Sequence, residues 1–259
     1  MNRTRQVIGG VATDVIELGR GPPLLFLHAS EGPLTPSGRY LQELARHHRV
    51  IAPWHPGFGP CDIPADFRDV GDLAYFYLDL AAHYDLADAT LCGASFGGWI
   101  AAEIAIRNTQ RFKRLILVDA FGIKVSDRET RDIADIFAMP AAEIVATTYL
   151  DPAIATRDTT RMTDAELQEI VRSREALCYY GWQPYMHNPQ LKRWLGRIRI
   201  PALVLWGAED RIVEPDYGRA YAAAMPDAKF ALIAKAGHHP HIEQPEAFAR
   251  AVAAFTGIA

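Results

Sequence analysis

Two hydrophobic patterns alternate along most of the chain. Short apolar runs rich in branched residues have the length of buried strands, and they are Leu24–Leu27, Val50–Ala52, Thr90–Cys92, Leu115–Val118, Ala202–Trp206 and Phe230–Ile233. Segments with the spacing of amphipathic helices lie between them, and they are Tyr40–His47, Leu73–Tyr84, Gly98–Asn108, Tyr217–Met225 and Glu246–Phe255. The alternation predicts an α/β fold with a mostly parallel central sheet and helices on both faces. Val7–Leu18 predicts an antiparallel strand pair at the leading edge of the sheet.

One long segment interrupts the alternation. Between about residues 122 and 195 no convincing strand pattern occurs. Helical patterns cover this segment instead, and they are Arg128–Phe137, Ala141–Tyr149 and Asp164–Tyr180. We therefore predict a core domain of residues 1–121 and 196–259 with an inserted helical lid of residues 122–195. We expect the lid to lie over the carboxyl edge of the sheet, where ligands bind in such folds. The alternative is an ordinary pair of long crossover helices.

The composition narrows the classes of function. The chain has 259 residues and a formal net charge of −4, so it lacks the basic excess typical of nucleic-acid binding. Three scattered cysteines are too few for a disulfide framework or a zinc site. The apolar runs are shorter than a membrane span, and residues 1–10 lack the apolar core of a signal peptide. We expect a cytoplasmic protein that acts on a small molecule without a metal or another cofactor, and a homodimer is compatible with this expectation.

A nucleophile motif lies near the middle of the chain. Gly93-Ala94-Ser95-Phe96-Gly97 fits the pattern G-x-S-x-G, and it follows a predicted strand and opens a predicted helix. A sharp turn between these elements exposes the serine above the sheet, and small neighbours prevent collisions of side chains. The motif predicts that Ser95 is a nucleophile; the alternative is a tight Gly-Ser turn without chemistry.

A serine hydroxyl needs a base that takes its proton and a carboxylate that orients the base. The histidines that follow the nucleophile motif are His187, His238, His239 and His241. Where this motif occurs, the chain order is serine, acid, histidine, and His238 follows the last predicted strand. We therefore predict His238 as the base, with the two histidines next to it as alternatives. A metal site of these last three histidines and Glu243 is disfavoured, because no second cluster of ligands accompanies it.

Asp210 is the leading candidate for the acid. It follows the predicted strand Ala202–Trp206, and its spacing of 28 residues from His238 leaves room for one helix and one strand. Both loops then emerge at the same edge of the sheet. Asp119 is the alternative, because it ends another predicted strand that borders the nucleophile.

Acyl transfer also needs two N–H groups directed at the developing oxyanion. One belongs to the residue after the nucleophile, and the other belongs to the loop after the first long buried strand. That loop reads Leu27-His28-Ala29-Ser30. The expected oxyanion donors are therefore the backbone groups of Phe96 and Ser30.

Taken together, these motifs resemble the α/β-hydrolase fold superfamily, in the compact lid-bearing form of esterases and meta-cleavage-product hydrolases. The resemblance covers the chain apart from the lid, from the His28 loop to the Gly237-His238 loop. It implies a catalytic triad of Ser95, Asp210 and His238. A serine nucleophile further implies an acyl-enzyme, since the relatives that act on haloalkanes and epoxides carry aspartate at this position.

The sequence departs from the family pattern in two segments. Ala29 replaces the usual glycine after His28, so the loop has less backbone freedom, and Glu31 is expected unusually close to the oxyanion position. In the segment Trp54–Cys61, His55 replaces the usual aspartate and Cys61 replaces the usual serine. We expect His55 to brace this loop, with a contact to the substrate as the alternative.

Several side chains are candidates for contacts with the substrate. They are Glu31, His55, Trp99, Phe121, Trp182 and Tyr185. The aromatic members predict a pocket for a small to medium, apolar or aromatic acyl group; alternatively, they attach the lid to the core. Three functions follow: a serine hydrolase of carboxylic esters, a C–C bond hydrolase of a meta-cleavage-type diketone, and a non-catalytic ligand-binding protein on a hydrolase scaffold.

Overall fold

A central eight-stranded sheet organises the protein, for which a computed structural model describes residues 2–258. Its strands are β1 (Asn2–Ile8), β2 (Val11–Leu18), β3 (Pro23–Leu27), β4 (Arg49–Pro53), β5 (Ala89–Ala94), β6 (Phe112–Val118), β7 (Ala202–Gly207) and β8 (Ala228–Ile233). Their order in the sheet is β1-β2-β4-β3-β5-β6-β7-β8. The strands β3 to β8 are parallel to one another, and β2 pairs antiparallel with β1 and β4. The predicted α/β class with a mostly parallel sheet is confirmed.

Nine α-helices surround this sheet in the described part of the chain. They are α1 (Arg39–Leu44), α2 (Val70–His83), α3 (Phe96–Arg107), α4 (Ala141–Thr148), α5 (Asp164–Gly181), α6 (Leu191–Trp194), α7 (Pro215–Ala223), α8 (Pro240–Glu243) and α9 (Pro245–Thr256). Three short 3₁₀ turns join them at Pro152–Ile154, Thr159–Arg161 and Leu195–Arg197. Within residues 2–258, no helix combines the length and the hydropathy that crossing a membrane requires.

Helices cover both faces of the sheet, because successive side chains of a strand point to opposite sides. In β3, Leu25 and Leu27 pack into the hydrophobic cluster that contains α2 and α3. Leu24 and Phe26 of the same strand pack into a second cluster with α1 and α9. A parallel sheet buried on both faces needs strands that are apolar along their whole length, as the predicted strands are.

The leading edge of the sheet extends further than its sequence pattern indicates. The expected antiparallel pair forms, but β1 begins at Asn2 and not at Val7. The early part of β1 is polar, and its Arg3 and Arg5 side chains pair with Asp14 on β2. An edge strand held by ion pairs carries no hydrophobic alternation, which is why the prediction began too late.

The segment between β6 and β7, residues 119–201, is called the β6–β7 segment below. It contains α4, α5, α6 and the 3₁₀ turns, and its described residues form one isolated β-bridge, between Gly122 and His187, and no strand. The helices expected at Ala141–Tyr149 and Asp164–Tyr180 are present with shifts of one residue at their ends. A capping box of Thr163 and Glu166 begins α5.

The prediction of a helix at Arg128–Phe137 was wrong. Turns and bends occupy this stretch, and aspartate side chains organise it through hydrogen bonds to backbone N–H groups. Asp127 accepts from the N–H groups of Glu129 and Thr130. Asp132 accepts from the N–H groups of residues 125 and 126.

Candidate active site

Ser95 lies on the sharp turn between β5 and α3. Its backbone angles are φ 51° and ψ −115°, a conformation that non-glycine residues rarely adopt. The turn holds because the Ser95 N–H donates to Val118 O at 2.8 Å and the Ser95 carbonyl accepts from the Gly98 N–H at 3.0 Å. The structure therefore fixes the hydroxyl of Ser95 above the carboxyl edge of the sheet.

Two glycines of the motif are required by close backbone contacts. A Cβ atom on Gly93 would lie 2.2 Å from the carbonyl oxygen of Gly97. A Cβ atom on Gly97 would lie 2.3 Å from the carbonyl oxygens of both Leu27 and His28. Glycine at these positions lets α3 approach β5 and the loop after β3 at backbone distance.

Three distant residues form one chain of hydrogen bonds at this edge. The Ser95 hydroxyl lies 2.8 Å from His238 Nε2, and His238 Nδ1 lies 2.8 Å from Asp210 Oδ2. Asp210 is on the loop after β7 and His238 is on the loop after β8. All three side chains are buried, so their polar atoms depend on one another, and not on water, for hydrogen bonds.

The partners define the tautomer of His238. A carboxylate accepts only, so Nδ1 carries the proton that is donated to Asp210. Nε2 is then free to accept the proton of the Ser95 hydroxyl. Asp210 is held in turn by the N–H groups of Ile212 and Val213, which donate to its Oδ1 at 2.8 and 3.1 Å. In this tautomer the acceptor nitrogen of His238 faces the serine.

The loop of His238 is anchored by neighbours on both sides. The His238 N–H donates to the Thr148 carbonyl at 2.8 Å, and the Phe121 ring stacks on the imidazole with centroids 5.0 Å apart. Glu243 accepts from the Gly237 N–H at 2.6 Å and from the Leu150 N–H at 2.7 Å. The end of α4 in the β6–β7 segment is therefore attached directly to the histidine loop.

The other predicted bases and the alternative acid have different partners. His239 bonds Tyr149 through Nδ1 at 2.9 Å, and His241 packs against Tyr40. His187 bonds the Tyr185 carbonyl. Asp119 accepts the Gly207 N–H at 2.8 Å, while His238 Nδ1 is occupied by Asp210.

The loop after β3 brings Ser30 to the same edge. Phe96 is the first residue of α3, where N–H groups lack partners within the helix and the helix dipole is positive. Within residues 2–258, the Ser30 N–H donates no hydrogen bond. Both expected oxyanion donors thus have N–H groups that a ligand can use.

His55 braces the loop of Ser30 from behind. The ring is fully buried; Nε2 donates to the His28 carbonyl at 2.8 Å, and Nδ1 accepts from the Tyr77 hydroxyl. Burial lowers the pKa of His55 to about 3, so the ring is neutral near pH 7. Both ring nitrogens of His55 have protein partners, so the ring braces the loop, as expected from the sequence. Neither nitrogen is left for the alternative role, a contact with the substrate. Tyr77 was missed, because the only signal was a hydroxyl on the core face of a helix.

A cavity of about 100 Å³ lies next to Ser30. Its walls combine the loop after β3 with the β6–β7 segment, and they are Ser30, Glu31, Ile136, Phe137, Ile144, Ile170, Ser173, Arg174 and Leu177. Glu31 also pairs with Arg157 at 2.6 Å. The aliphatic members of this wall were missed, because apolar helix positions in the sequence look the same whether they face a core or a ligand.

The aromatic side chains that were expected at the substrate lie at several places. Phe121 contacts His238, as described above. Trp99 is buried in a cleft with Tyr180; its ring lies against Phe96, with centroids 5.9 Å apart, and its N–H donates to Glu103 at 3.2 Å. Tyr185 and Trp182 lie behind Phe137, with ring centroids 6.0 and 5.7 Å from it, and Trp182 is 56% exposed.

Residues 24–251 match the model of the alpha/beta hydrolase family, so the chain belongs to this family. It is 30% identical to a 2-hydroxymuconate semialdehyde hydrolase from Pseudomonas sp., over 97% of this chain and 93% of that protein. It is 27% identical to a polyketide synthase from Burkholderia thailandensis, over 95% of this chain but only 12% of the synthase. Among solved structures, a meta-cleavage product hydrolase from Pseudomonas fluorescens has the same fold, with a TM-score of 0.80 at 20% identity over 98% of this chain and 97% of that one. Family and relatives support hydrolase activity.

Proposed function

We propose that the protein is a serine hydrolase that cleaves a carboxylic ester through an acyl-enzyme on Ser95. The observation that carries this proposal is the buried chain of two 2.8 Å hydrogen bonds from Ser95 through His238 to Asp210. Serine is a useful nucleophile only with such a base and an orienting acid. The strained turn that presents Ser95 is the second support.

The reaction proceeds in two halves. His238 Nε2 takes the Ser95 proton as the oxygen attacks the ester carbonyl, and Asp210 stabilises the imidazolium that forms. The N–H groups of Ser30 and Phe96 hold the oxyanion. His238 then protonates the leaving alcohol, which leaves the acyl group on Ser95. A water molecule that gives its proton to His238 hydrolyses this ester and restores the serine.

We infer a short acyl group from the cavity that adjoins Ser30, one of the two proposed oxyanion donors. The cavity beside Ser30 has about 100 Å³, well below the ~300–1,000 Å³ of sites for drug-sized ligands. Its walls are mainly aliphatic, with Phe137 as the aromatic member. A small apolar acyl chain fits this lining better than a large or strongly charged one.

Residues 122–195 act as a lid over the site. Ser95 and His238 are each only 3% exposed, so a substrate needs a path that opens between this segment and the core. The attachment at the Thr148 carbonyl and Glu243 keeps one end of the segment next to His238. Opening is therefore expected at the far side, around Phe137 and α5.

Turnover of p-nitrophenyl acetate and butyrate tests the proposal. The wild-type protein is expected to release p-nitrophenol with a burst that reports the acyl-enzyme, and Ser95→Ala is expected to lose this turnover. Equal turnover in both proteins would overturn the proposal. Failure of a fluorophosphonate to label the wild type would favour a ligand-binding protein without catalysis.

Hydrolysis of a C–C bond is the second candidate. The relative that favours it is the 2-hydroxymuconate semialdehyde hydrolase, which aligns with nearly the whole chain. The same residues would serve, with a carbon leaving group in place of the alcohol. A spectrophotometric assay with a meta-cleavage ring-fission product separates the two functions. Faster turnover of that substrate than of any ester would favour hydrolysis of a C–C bond over hydrolysis of an ester.

A further inference from the structure

A second carboxyl group is buried beside the acid of the hydrogen-bond chain. Asp119 follows the end of β6 and is fully buried, with φ at 45°. Its Oδ1 accepts the Gly207 N–H at 2.8 Å. Its Oδ2 is enclosed and meets no donor in the described part of the protein. A buried carboxylate oxygen without a donor costs free energy, so this atom needs an explanation.

The Asp119 carboxyl group lies beside the other members of the site. One oxygen each of Asp119 and Asp210 and one ring nitrogen of His238 lie within 4.8 Å of one another, so the two carboxyl groups are close neighbours. Two ionised carboxyl groups so close together repel each other strongly in a buried site. One of them therefore holds a proton.

The donors show which carboxyl group is ionised. Asp210 accepts from His238 Nδ1 and from the N–H groups of Ile212 and Val213, three donors in all. Asp119 accepts from the Gly207 N–H alone. More donors stabilise the charged form, so the negative charge belongs to Asp210 and the proton belongs to Asp119.

We propose that Asp119 is a neutral carboxylic acid whose O–H donates a hydrogen bond to the Asp210 carboxylate, and that it is a positioning residue for the triad. A proton on Oδ2 turns the orphan acceptor into a donor and gives Asp210 a fourth hydrogen bond. The proton is neither consumed nor released in the reaction, so the pair carries one negative charge throughout.

The surroundings of Asp119 support this assignment. Burial raises the pKa of Asp119 well above its usual range, and the charge of Asp210 adds to the effect. The Gly207 hydrogen bond opposes it, and the more distant Glu243 adds a smaller contribution in the same direction as Asp210. His238 is the remaining titratable group at this position.

The consequence for catalysis rests on the proposed function, because it requires that Asp210 orients His238. A carboxylate held by four donors cannot rotate away from the imidazole. A neutral Asp119 also leaves His238 facing one negative charge and not two. Asp119 therefore fixes the position of Asp210 without adding a charge that would favour the protonated form of the imidazole.

Unfolding by urea at a series of pH values tests the protonation state without any substrate. The folded protein keeps the Asp119 proton above the usual pKa of aspartate, and the unfolded chain loses it, so folding is favoured at low pH and weakened as the pH rises. The unfolding constant of the wild type, divided by that of Asp119→Asn, is expected to rise by up to tenfold per pH unit above about pH 4. A ratio that is constant or falls with pH would overturn the proposal.

Asp14→Asn is the matched control for a buried aspartate. Asp14 is buried and pairs with Arg3 and Arg5, so each of its oxygens has a cationic partner. The corresponding ratio for this variant is not expected to rise with pH. The infrared band of a protonated carboxyl group gives a second readout on the wild type alone: it is expected at pH 7 in the folded protein, and its absence there would contradict the proposal even if the variants do not fold.

The pH profile of kcat/KM tests the positioning role. Asparagine keeps a neutral donor toward Asp210 and tolerates a positive φ, so Asp119→Asn is expected to stay within about threefold of the wild type with an unmoved acid limb. If Asp119 were ionised, its removal would shift the acid limb to lower pH by about one to two units. Asp119→Ala, which removes the donor, is expected to lose about tenfold or more of kcat/KM.

The outcome for Ser95→Ala separates this inference from the proposed function. Activity of Ser95→Ala equal to that of the wild type would count against the proposed function only, since the unfolding and infrared readouts are independent of turnover.

Discussion

The carboxyl edge of the sheet and the β6–β7 segment differ in how tightly they are packed. In α3, which follows Ser95, ten of twelve residues are buried. In α4 one of eight is buried, and in α5 five of eighteen. Ser95 therefore lies beside a closely packed helix, while the walls of the cavity come largely from a segment with few buried residues.

This difference separates two properties of the proposed enzyme. A site on close-packed strands keeps its distances fixed, which catalysis by positioned groups requires. A loosely packed segment opens locally at low cost in free energy, which suits access and the choice of substrate. The two regions meet at His238, where Thr148 and Glu243 attach the segment to the histidine loop. Substitutions on the two sides of this junction are expected to have distinct effects.

The largest effect is expected for Asp210→Asn at the rigid edge. The amide cannot hold His238 in the tautomer that accepts from Ser95, and such a change costs about 10⁴-fold in kcat in a serine triad. Steady-state kinetics with p-nitrophenyl butyrate measure it. Residual activity near that of the wild type would show that Asp119, and not Asp210, is the acid.

A smaller effect is expected for Glu243→Gln at the junction. Glu243 accepts N–H groups from both Gly237 and Leu150, and an amide has only one accepting oxygen, so one attachment is lost. We expect kcat/KM to fall about tenfold. Glu246→Gln, an exposed carboxylate that pairs with Arg39, is the matched control and is expected to stay within about twofold.

The pH dependence of stability gives an independent test of Glu243. Burial raises the pKa of Glu243 above its usual range, so its protonated form contributes stability at low pH that is lost as the pH rises through the raised pKa. The test divides the unfolding constant of the wild type in urea by that of Glu243→Gln. This ratio is expected to increase as the pH rises through the raised pKa of Glu243. No change of this ratio with pH would contradict the described environment of Glu243.

The smallest effect on the chemistry is expected in the β6–β7 segment itself. Phe137→Ala enlarges the cavity, so the preference for hexanoate over acetate esters is expected to rise about tenfold while acetate turnover changes less than threefold. Trp182→Ala, whose ring packs on Phe137 from outside, is the control and is expected to leave the preference unchanged. A loss of all turnover in Phe137→Ala would mean that the two regions are not separable.

Local signals in the sequence were sufficient for the sheet and for the positions of Ser95, Asp210 and His238. Each lies in a short motif next to an apolar strand, and parallel strands bring their carboxyl ends to one edge. In place of the helix expected at Arg128–Phe137 the chain forms turns in which Asp127 and Asp132 accept backbone N–H groups, and hydrophobic periodicity does not report such local hydrogen bonds.

Residues that act through partners far away in the sequence were harder to find. Tyr77 matters through His55 and the loop of Ser30, and Glu243 matters through Gly237 and the end of α4. Neither has a motif of its own. Only the folded structure shows that Asp119 lies against Asp210 and that one of its oxygens has no donor.

Covalent labelling of Ser95 is the most direct measurement of the central claim that Ser95, His238 and Asp210 make a serine hydroxyl reactive. The wild type is incubated with a fluorophosphonate, digested and analysed by mass spectrometry. We expect one adduct on Ser95, formed far more slowly in Asp210→Asn. An unlabelled Ser95, or labelling at the same rate in both proteins, would contradict the claim.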